Sequence, residues 1–299
     1  MRMSTRVLAA SVLLACTLGA GTSVAEEKPF GMETNHLNLV FSVNDAKKTH
    51  EFYGEILGLE KLPNKVMPES TYMIRYMAGS SMLKFLVMKA DLPVKAGKSG
   101  DAVGIRLAAI ILPDQQREGI LKRLGENGYP VPKFVEGSGF RYGMVYDADG
   151  NQVEVVFVDN VDADLKIDAF QIGLTVSDDQ AMRDFLGNVI GLPEQPTEDL
   201  GGGITKYSYK LGATTIKFWQ LANDLPKAVG MTDEMIGMNL IHFDVPDVEV
   251  VEKIMIENGI KAQTAPMPAD TETTIYIVEG PDGILFGFMG PMMERFMGE

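Results

Sequence analysis

The chain has 299 residues, 45% of them hydrophobic, with 27 basic against 41 acidic side chains and a formal net charge of −14. This length suits two domains of about 130 residues each, and the apolar fraction suffices for real cores. The acidic balance argues against a nucleic-acid partner, because such a surface repels phosphate.

Residues 1–25 read as an export signal. Arg2 and Arg6 open a short positive region, residues 7–21 are apolar and small, and Ser23-Val24-Ala25 precede Glu26-Glu27 as a cleavage site. The apolar run is too short for a comfortable membrane span. Removing this segment takes the net charge from −14 to −16. The only cysteine, Cys16, lies in Leu13-Leu14-Ala15-Cys16, which resembles a lipoprotein processing box. Two routes therefore stand: release after Ala25 as a periplasmic or secreted protein, or lipid anchoring through Cys16, the one route to a membrane. On the first route no cysteine remains, and disulfides and thiolate metal sites are excluded.

His36–Val43 alternates, with Leu37, Leu39, Phe41 and Val43 on one face and His36, Asn38, Val40 and Ser42 on the other, as in a half-buried strand. Asp45 opens a helix with Ala46, Thr49, Tyr53, Ile56 and Leu57 on one side, and Gly58 closes it. His50 sits beside that stripe and reads as helix–sheet packing. Strand-like segments follow around residues 71–77 and 82–88, and residues 89–101 read as a linker. The pattern restarts with a strand over residues 106–112, a helix over 115–126 and strands around 141–146 and 152–158. Asp147-Ala148-Asp149-Gly150-Asn151 supplies hairpin-turn chemistry between the last two. After an acidic joint at residues 160–165 come a strand over 170–176, a helix over 179–189 and strands around 206–210 and 215–221. A last unit has a strand over 239–245, a helix over 248–258 and strands at 274–278 and 284–289.

The second half repeats the first at an offset of 133. Glu51-Phe52-Tyr53-Gly54-Glu55-Ile56-Leu57-Gly58-Leu59 returns as Asp184-Phe185-Leu186-Gly187-Asn188-Val189-Ile190-Gly191-Leu192. The same shift carries Lys84-Phe85 to Lys217-Phe218, Gly104 to Gly237, Pro113-Asp114 to Pro246-Asp247 and Asp149-Gly150 to Asp282-Gly283. One offset maintained across a whole half means a duplicated domain. The expected class is α+β, with mixed sheets carrying helices on one face and leaving the other free.

With Val43-Asn44-Asp45, Phe52-Tyr53, Leu57-Gly58-Leu59 and the stretch from Asp147 to Glu154, repeated as Val176-Ser177-Asp178, Phe185, Ile190-Gly191-Leu192 and Pro281-Asp282-Gly283, the chain resembles the vicinal oxygen chelate superfamily. That superfamily includes glyoxalase I, extradiol dioxygenases and the fosfomycin- and bleomycin-resistance proteins. The resemblance implies four βαβββ modules in two tandem domains with cup-shaped mixed sheets. The domains would span residues 35–160 (modules 35–90 and 104–160) and 168–290 (modules 168–222 and 237–290). It further implies that the two modules of a domain enclose a metal and substrate site.

The metal positions implied by the resemblance fall at Asn38, Lys84, Leu107 and Glu154 in the first domain and at Gln171, Lys217, Leu240 and Gly287 in the second. Only Glu154 is a good match, with His36 as a neighbour on the first strand. A dication wants three or four convergent oxygen or imidazole ligands, and an ammonium at Lys84 would repel it. Two readings follow. In one, the protein binds a small, mostly apolar and anionic molecule, using Lys84, Lys217, Asn38, Gln171, Trp219 and His242, with Glu154 paired to Lys84. In the other, a divalent metal held by His36 and Glu154 serves a glyoxalase-like lyase or a dioxygenase in which Glu154 moves a proton. Lys84 and Lys217 stand in otherwise apolar strands and can either grip an anion or reach solvent from a sheet edge. Gly201-Gly202-Gly203 has no helix with a Lys-Ser or Lys-Thr pair behind it and reads as a loop. Monomer and homodimer are equally compatible with the sequence.

Overall fold

The computed structural model describes residues 29–32, 36–66, 72–89, 91–162, 166–221 and 224–297. The expected export segment and Cys16 lie outside these residues. No helix among the described residues is long and apolar enough to cross a membrane.

Four modules follow one another. The first holds β1 (Asn38–Val43), α1 (Ala46–Thr49), β2 (Glu60–Lys65), β3 (Tyr72–Ala78) and β4 (Ser81–Val87). The second holds β5 (Gly104–Pro113), α2 (Arg117–Glu126), β6 (Val135–Glu136), β7 (Phe140–Tyr146) and β8 (Gln152–Val158). The third holds β9 (Phe170–Val176), α3 (Asp179–Arg183), β10 (Glu194–Asp199), β11 (Thr205–Leu211) and β12 (Thr214–Gln220). The fourth holds β13 (Gly237–Asp244), α4 (Val248–Glu257), the two-residue strands β14 (Lys261–Ala262) and β15 (Met267–Pro268), then β16 (Thr273–Glu279) and β17 (Leu285–Pro291).

The expected helix starts are sound: the Asp45 carboxylate accepts from the Lys47 and Lys48 amides at 2.8 and 3.0 Å, which satisfies donors a helix start leaves free. Beyond the first turn, however, α1 and α3 widen into π-helix, over His50–Ile56 and Asp184–Val189. The apolar spacing predicts ordinary helix there, and both repeats make the same switch. His50 packs as expected on the sheet, with Nδ1 2.5 Å from the Tyr76 hydroxyl. Five strands have no counterpart in the sequence expectations: the two-residue β6, β14 and β15, and the longer β2 and β10. β2 and β10 are largely exposed edge strands, each broken by a register shift and carrying a proline, so neither shows apolar alternation.

The sheets are not built as the sequence suggested. β1 pairs with β13 across the domain boundary, and β5 pairs with β9. Modules one and four thus share a nine-stranded sheet, β14-β16-β17-β13-β1-β4-β3-β2 with β15 beside β16, and modules two and three share an eight-stranded sheet, β10-β11-β12-β9-β5-β8-β7-β6. The expectation that modules one and two enclose a common cup is corrected. Each cup combines one module from each domain.

One continuous core lies between the sheets, taking Leu39 and Phe41 from β1, Ile110 from β5, Ile120 from α2 and Val251 from α4. Burying large apolar side chains of this kind stabilises by about 1.5–3 kcal/mol each. The tie between modules one and two is polar as well. The Tyr53 hydroxyl donates to the fully buried Asp147 carboxylate at 2.9 Å, which also accepts from the Asn151 amide at 2.8 Å and the Asn151 side chain at 2.9 Å. The Asp-Ala-Asp-Gly-Asn stretch is therefore a turn that docks a helix. The opposite face of each sheet carries its own smaller cluster, Val40, Met73, Leu86, Leu240, Ile277 and Leu285 on one, Ile111, Phe140, Tyr142 and Val156 on the other. All six residues of β1 are buried, so the half-buried strand of the sequence reading is buried on both faces.

Candidate functional site

The nine-stranded sheet curls until its opposite margins touch. Lys65, at the end of edge strand β2, forms an ion pair with Asp270, in the turn between β15 and β16. Asp270 is held in place by accepting from the Glu272 and Thr273 amides, each at 2.8 Å. Although partial burial opposes it, hydrogen bonding to Lys65 and to these amides holds the Asp270 carboxyl well below the usual carboxylate range. Under this strap lies the face bearing Val40, Leu86, Leu240 and Leu285.

Lys84 rises from that face and is 8% exposed. Its register neighbours are Val40 on β1 and Arg75 on β3. Its ammonium meets Nδ1 of His242 on β13. Burial lowers the Lys84 pKa to about 8; Asp244 opposes the shift, while Lys65 and Arg75 reinforce it. His242 is fully buried and held well below the usual imidazole range, first by burial and then by Lys84 and His36, so it is neutral. Its Nε2 has no hydrogen-bond partner among the described residues and stands 3.6 Å from Oδ1 of Asp244. The other Asp244 oxygen accepts from Asn38 Nδ2 at 2.9 Å and lies 3.8 Å from His36 Nε2. Asn38 is fixed in turn because its Oδ1 accepts from the Met82 amide at 2.8 Å. Asp244 is 35% exposed, so the cluster reaches from the buried floor to solvent.

The eight-stranded sheet presents the repeat-related face, and its chemistry has diverged. Lys217, the counterpart of Lys84, donates to Glu154 Oε2 at 2.7 Å, with both side chains almost wholly buried. Glu154 lies opposite Ala109 on β5 and Met144 on β7. The position equivalent to Glu154 in the other sheet is Gly287, and the position equivalent to His242 is Ala109. The carboxylate partner of Lys84 expected from the sequence thus belongs to Lys217 instead. Trp219 is buried on the same face as Lys217, and Gln171 stands on β9 opposite Ala109 and Thr215.

Of the residues singled out from the sequence, the structure brings together His36, Asn38, Lys84 and His242 in one sheet, and Glu154, Gln171, Lys217 and Trp219 in the other. His36, two residues before β1, and Glu154 on β8, expected as joint metal ligands, are separated, because β1 and β8 belong to different sheets. Asp244, Lys65 and Asp270 were missed. Asp244 was legible, since it follows His242 by two residues and so shares its strand face. Lys65 and Asp270 are 205 residues apart, and only the curl of the sheet joins them.

The positions implied for a metal regroup accordingly as Asn38, Lys84, Leu240 and Gly287 in one cup and Leu107, Glu154, Gln171 and Lys217 in the other. Neither set fits a dication, for each places an ammonium and an aliphatic side chain where ligands are required. Among the described residues, no group of three or more His, Cys, Asp or Glu side chains is disposed to hold a metal ion.

The family model for the Glyoxalase/Bleomycin resistance protein/Dioxygenase superfamily matches residues 34–155 and again 167–288. Among solved structures, the fold is similar to a "putative dioxygenase" of Bacillus subtilis subsp. subtilis str. 168, at a TM-score of 0.64 and 18% identity, covering 91% of this chain and 88% of that one. It is similar also to glyoxalase I of Zea mays, at a TM-score of 0.64 and 17% identity, covering 85% and 91%. At such identities the likeness concerns the fold alone. None of the curated proteins matches the chain.

Proposed function

We propose that this chain, which belongs to the Glyoxalase/Bleomycin resistance protein/Dioxygenase superfamily, binds a small, mostly apolar molecule in the cup of the nine-stranded sheet, with a carboxylate or carbonyl oxygen of the ligand against Lys84. One observation carries this reading: the carboxylate that neutralises Lys217 has no counterpart beside Lys84, where Gly287 takes its place. A buried ammonium without a carboxylate in hydrogen-bonding contact is costly, and an anionic or strongly dipolar ligand supplies what the protein omits. Val40, Leu86, Leu240 and Leu285 offer the apolar wall that such pockets use for the body of a ligand, and Met73 beside them is an adaptable surface. The eight-stranded sheet, with its internal Lys217–Glu154 pair, serves as scaffold. Export, by either route read from residues 1–25, is part of the same proposal: a binding protein working outside the cytoplasm.

A lyase or dioxygenase, the general kind of activity to which the family's fold also points, would need residues other than the pair read from the sequence, because the segment of His36 and the strand of Glu154 belong to different sheets. The test uses benzoate and octanoate as probes and follows thermal melting. A ligand of the native state alone raises the melting temperature. The protein and its Glu154→Leu/Lys217→Met variant are expected to be stabilised, and Lys84→Met is not. Equal stabilisation in Lys84→Met, or its loss on removing only the Lys217 pair, would overturn the assignment.

A further inference from the structure

We propose that Lys84 is a covalent catch for carbonyl compounds: its amine adds to an aldehyde or ketone seated in the nine-stranded sheet's cup and condenses with it to an imine, with His242 as proton carrier. The proposal rests on the cup being a ligand site and names the chemical class that the site takes.

A nucleophilic amine needs three things from its surroundings: a neutral form within reach near pH 8, a base in hydrogen-bonding contact, and a group that orients the base. Lys84 has all three. It is desolvated among aliphatic side chains, with Lys65 on β2 and Arg75 on β3 as neighbouring cations. Its nitrogen meets Nδ1 of a neutral, buried imidazole. That imidazole presents Nε2, without a hydrogen-bond partner among the described residues, toward Asp244 Oδ1. With its proton on Nε2, His242 accepts at Nδ1, and the imidazolium so formed faces a carboxylate. Asp244 is a positioning residue, held by Asn38 and accompanied by His36 at the outer end of the cluster. The repeat provides a built-in contrast. Lys217 occupies the equivalent strand position but its ammonium donates a hydrogen bond to Glu154 in a 2.7 Å ion pair and it has an alanine where Lys84 has His242.

The step balances without any further reagent. The nitrogen lone pair of Lys84 attacks the carbonyl carbon, and the carbonyl π pair moves onto oxygen. The first proton lost by nitrogen passes to His242 Nδ1 and from there to the alkoxide oxygen, giving the carbinolamine. The remaining N–H proton follows the same route to the hydroxyl oxygen as the C–O bond breaks, so that water leaves and the nitrogen lone pair closes the C=N bond. The reverse sequence releases the carbonyl compound. A ligand carboxylate, where one is present, meets the protonated form of the same amine at lower pH.

The test treats the intact protein with benzaldehyde and sodium cyanoborohydride, which fixes an imine as a secondary amine, and maps the product by mass spectrometry of peptides. At pH 8, Lys84 is expected to be benzylated first, well ahead of Lys217 and the surface lysines. His242→Gln should slow that labelling by on the order of a hundredfold, the low end for loss of a proton carrier. Asp244→Asn should move the midpoint of the labelling pH profile downward, because it removes the negative charge that favours the ammonium; a structural role alone would leave the midpoint in place. Labelling of Lys84 no faster than of surface lysines, with benzoate stabilisation intact, would overturn the imine and leave the binding site standing. Failure of both would remove the site itself. The map of the unmodified protein decides the matter even where a variant does not fold.

Discussion

Ser81 and Thr214, separated by the repeat offset of 133, hydrogen-bond to each other through their side-chain oxygens at 2.7 Å. Two repeat-equivalent residues can touch in this way only on the axis that exchanges the repeats. Matched contacts on either side confirm the relation: Ser42 Oγ donates to the Thr232 carbonyl at 2.5 Å, and Thr175 Oγ1 donates to the Ser99 carbonyl at 2.6 Å. The axis exchanges module one with module three and module two with module four. It therefore exchanges the two sheets, and each cup draws on both domains.

Thr214 does more at the axis than Ser81, because its hydroxyl also accepts from the Leu37 amide at 2.9 Å. Thr214→Val strands a buried amide, which costs about 1–3 kcal/mol, whereas Ser81→Ala removes one neutral hydrogen bond worth about 1 kcal/mol. Urea denaturation of the two variants should rank them in that order. Equal losses would mean that the Leu37 amide finds another acceptor.

Glu154→Gln leaves the Lys217 ammonium buried without its counter-charge, and breaking such a pair costs about 3–5 kcal/mol. Glu154→Leu combined with Lys217→Met removes both charges and is expected to recover most of that loss. If the single and double variants melt together, the pair is not the closed ionic unit that its 2.7 Å geometry indicates.

Lys84 makes stability depend on pH in a defined window. Its pKa falls from the ordinary lysine value of 10.5 to about 8 in the fold. Below pH 8 both folded and unfolded chains carry the proton, and the fold bears the full penalty of the buried charge. Between 8 and 10.5 only the unfolded chain holds it, so this group's contribution to stability rises with pH across the window. The penalty at pH 7 is at most on the order of 3 kcal/mol. Lys84→Met should therefore lose about that much of its advantage over the parent between pH 8 and 10.5. The absolute difference also contains the lost contact with His242, so the slope is the quantity to measure; a flat difference would refute the shifted lysine.

The Lys65–Asp270 strap is partly exposed at both ends. Pairs of this kind contribute about 0–1 kcal/mol, so Asp270→Asn should hardly change the melting temperature. Its effect belongs to access: cyanoborohydride labelling of Lys84 by benzaldehyde should accelerate once the margins of the sheet part. Unchanged labelling together with unchanged stability would show that ligands enter elsewhere.

Much of this protein was legible before any coordinates. The duplicated segment around Phe52 and Phe185, the period of two in β1 and β9, and the turn residues from Asp147 to Asn151 are local signals. Each works through the backbone of its own segment, so each survives in the linear chain. β2 and β10 were lost because an exposed edge strand needs no apolar alternation. His36, Asn38, Lys84 and His242 were all picked out as single residues, yet the partner assigned to Lys84 was wrong. Strand pairing is a contest between non-local contacts of similar chemistry. Lys84 and Lys217 each open a Lys-Phe pair at equivalent strand positions, and nothing within either segment says which of them will meet Glu154. The modules, their duplication and the buried polar positions can all be read along the linear chain. The pairing of β1 with β13 and of β5 with β9 arises from packing between distant segments, and it is this that gives the carboxylate to Lys217 and the imidazole to Lys84.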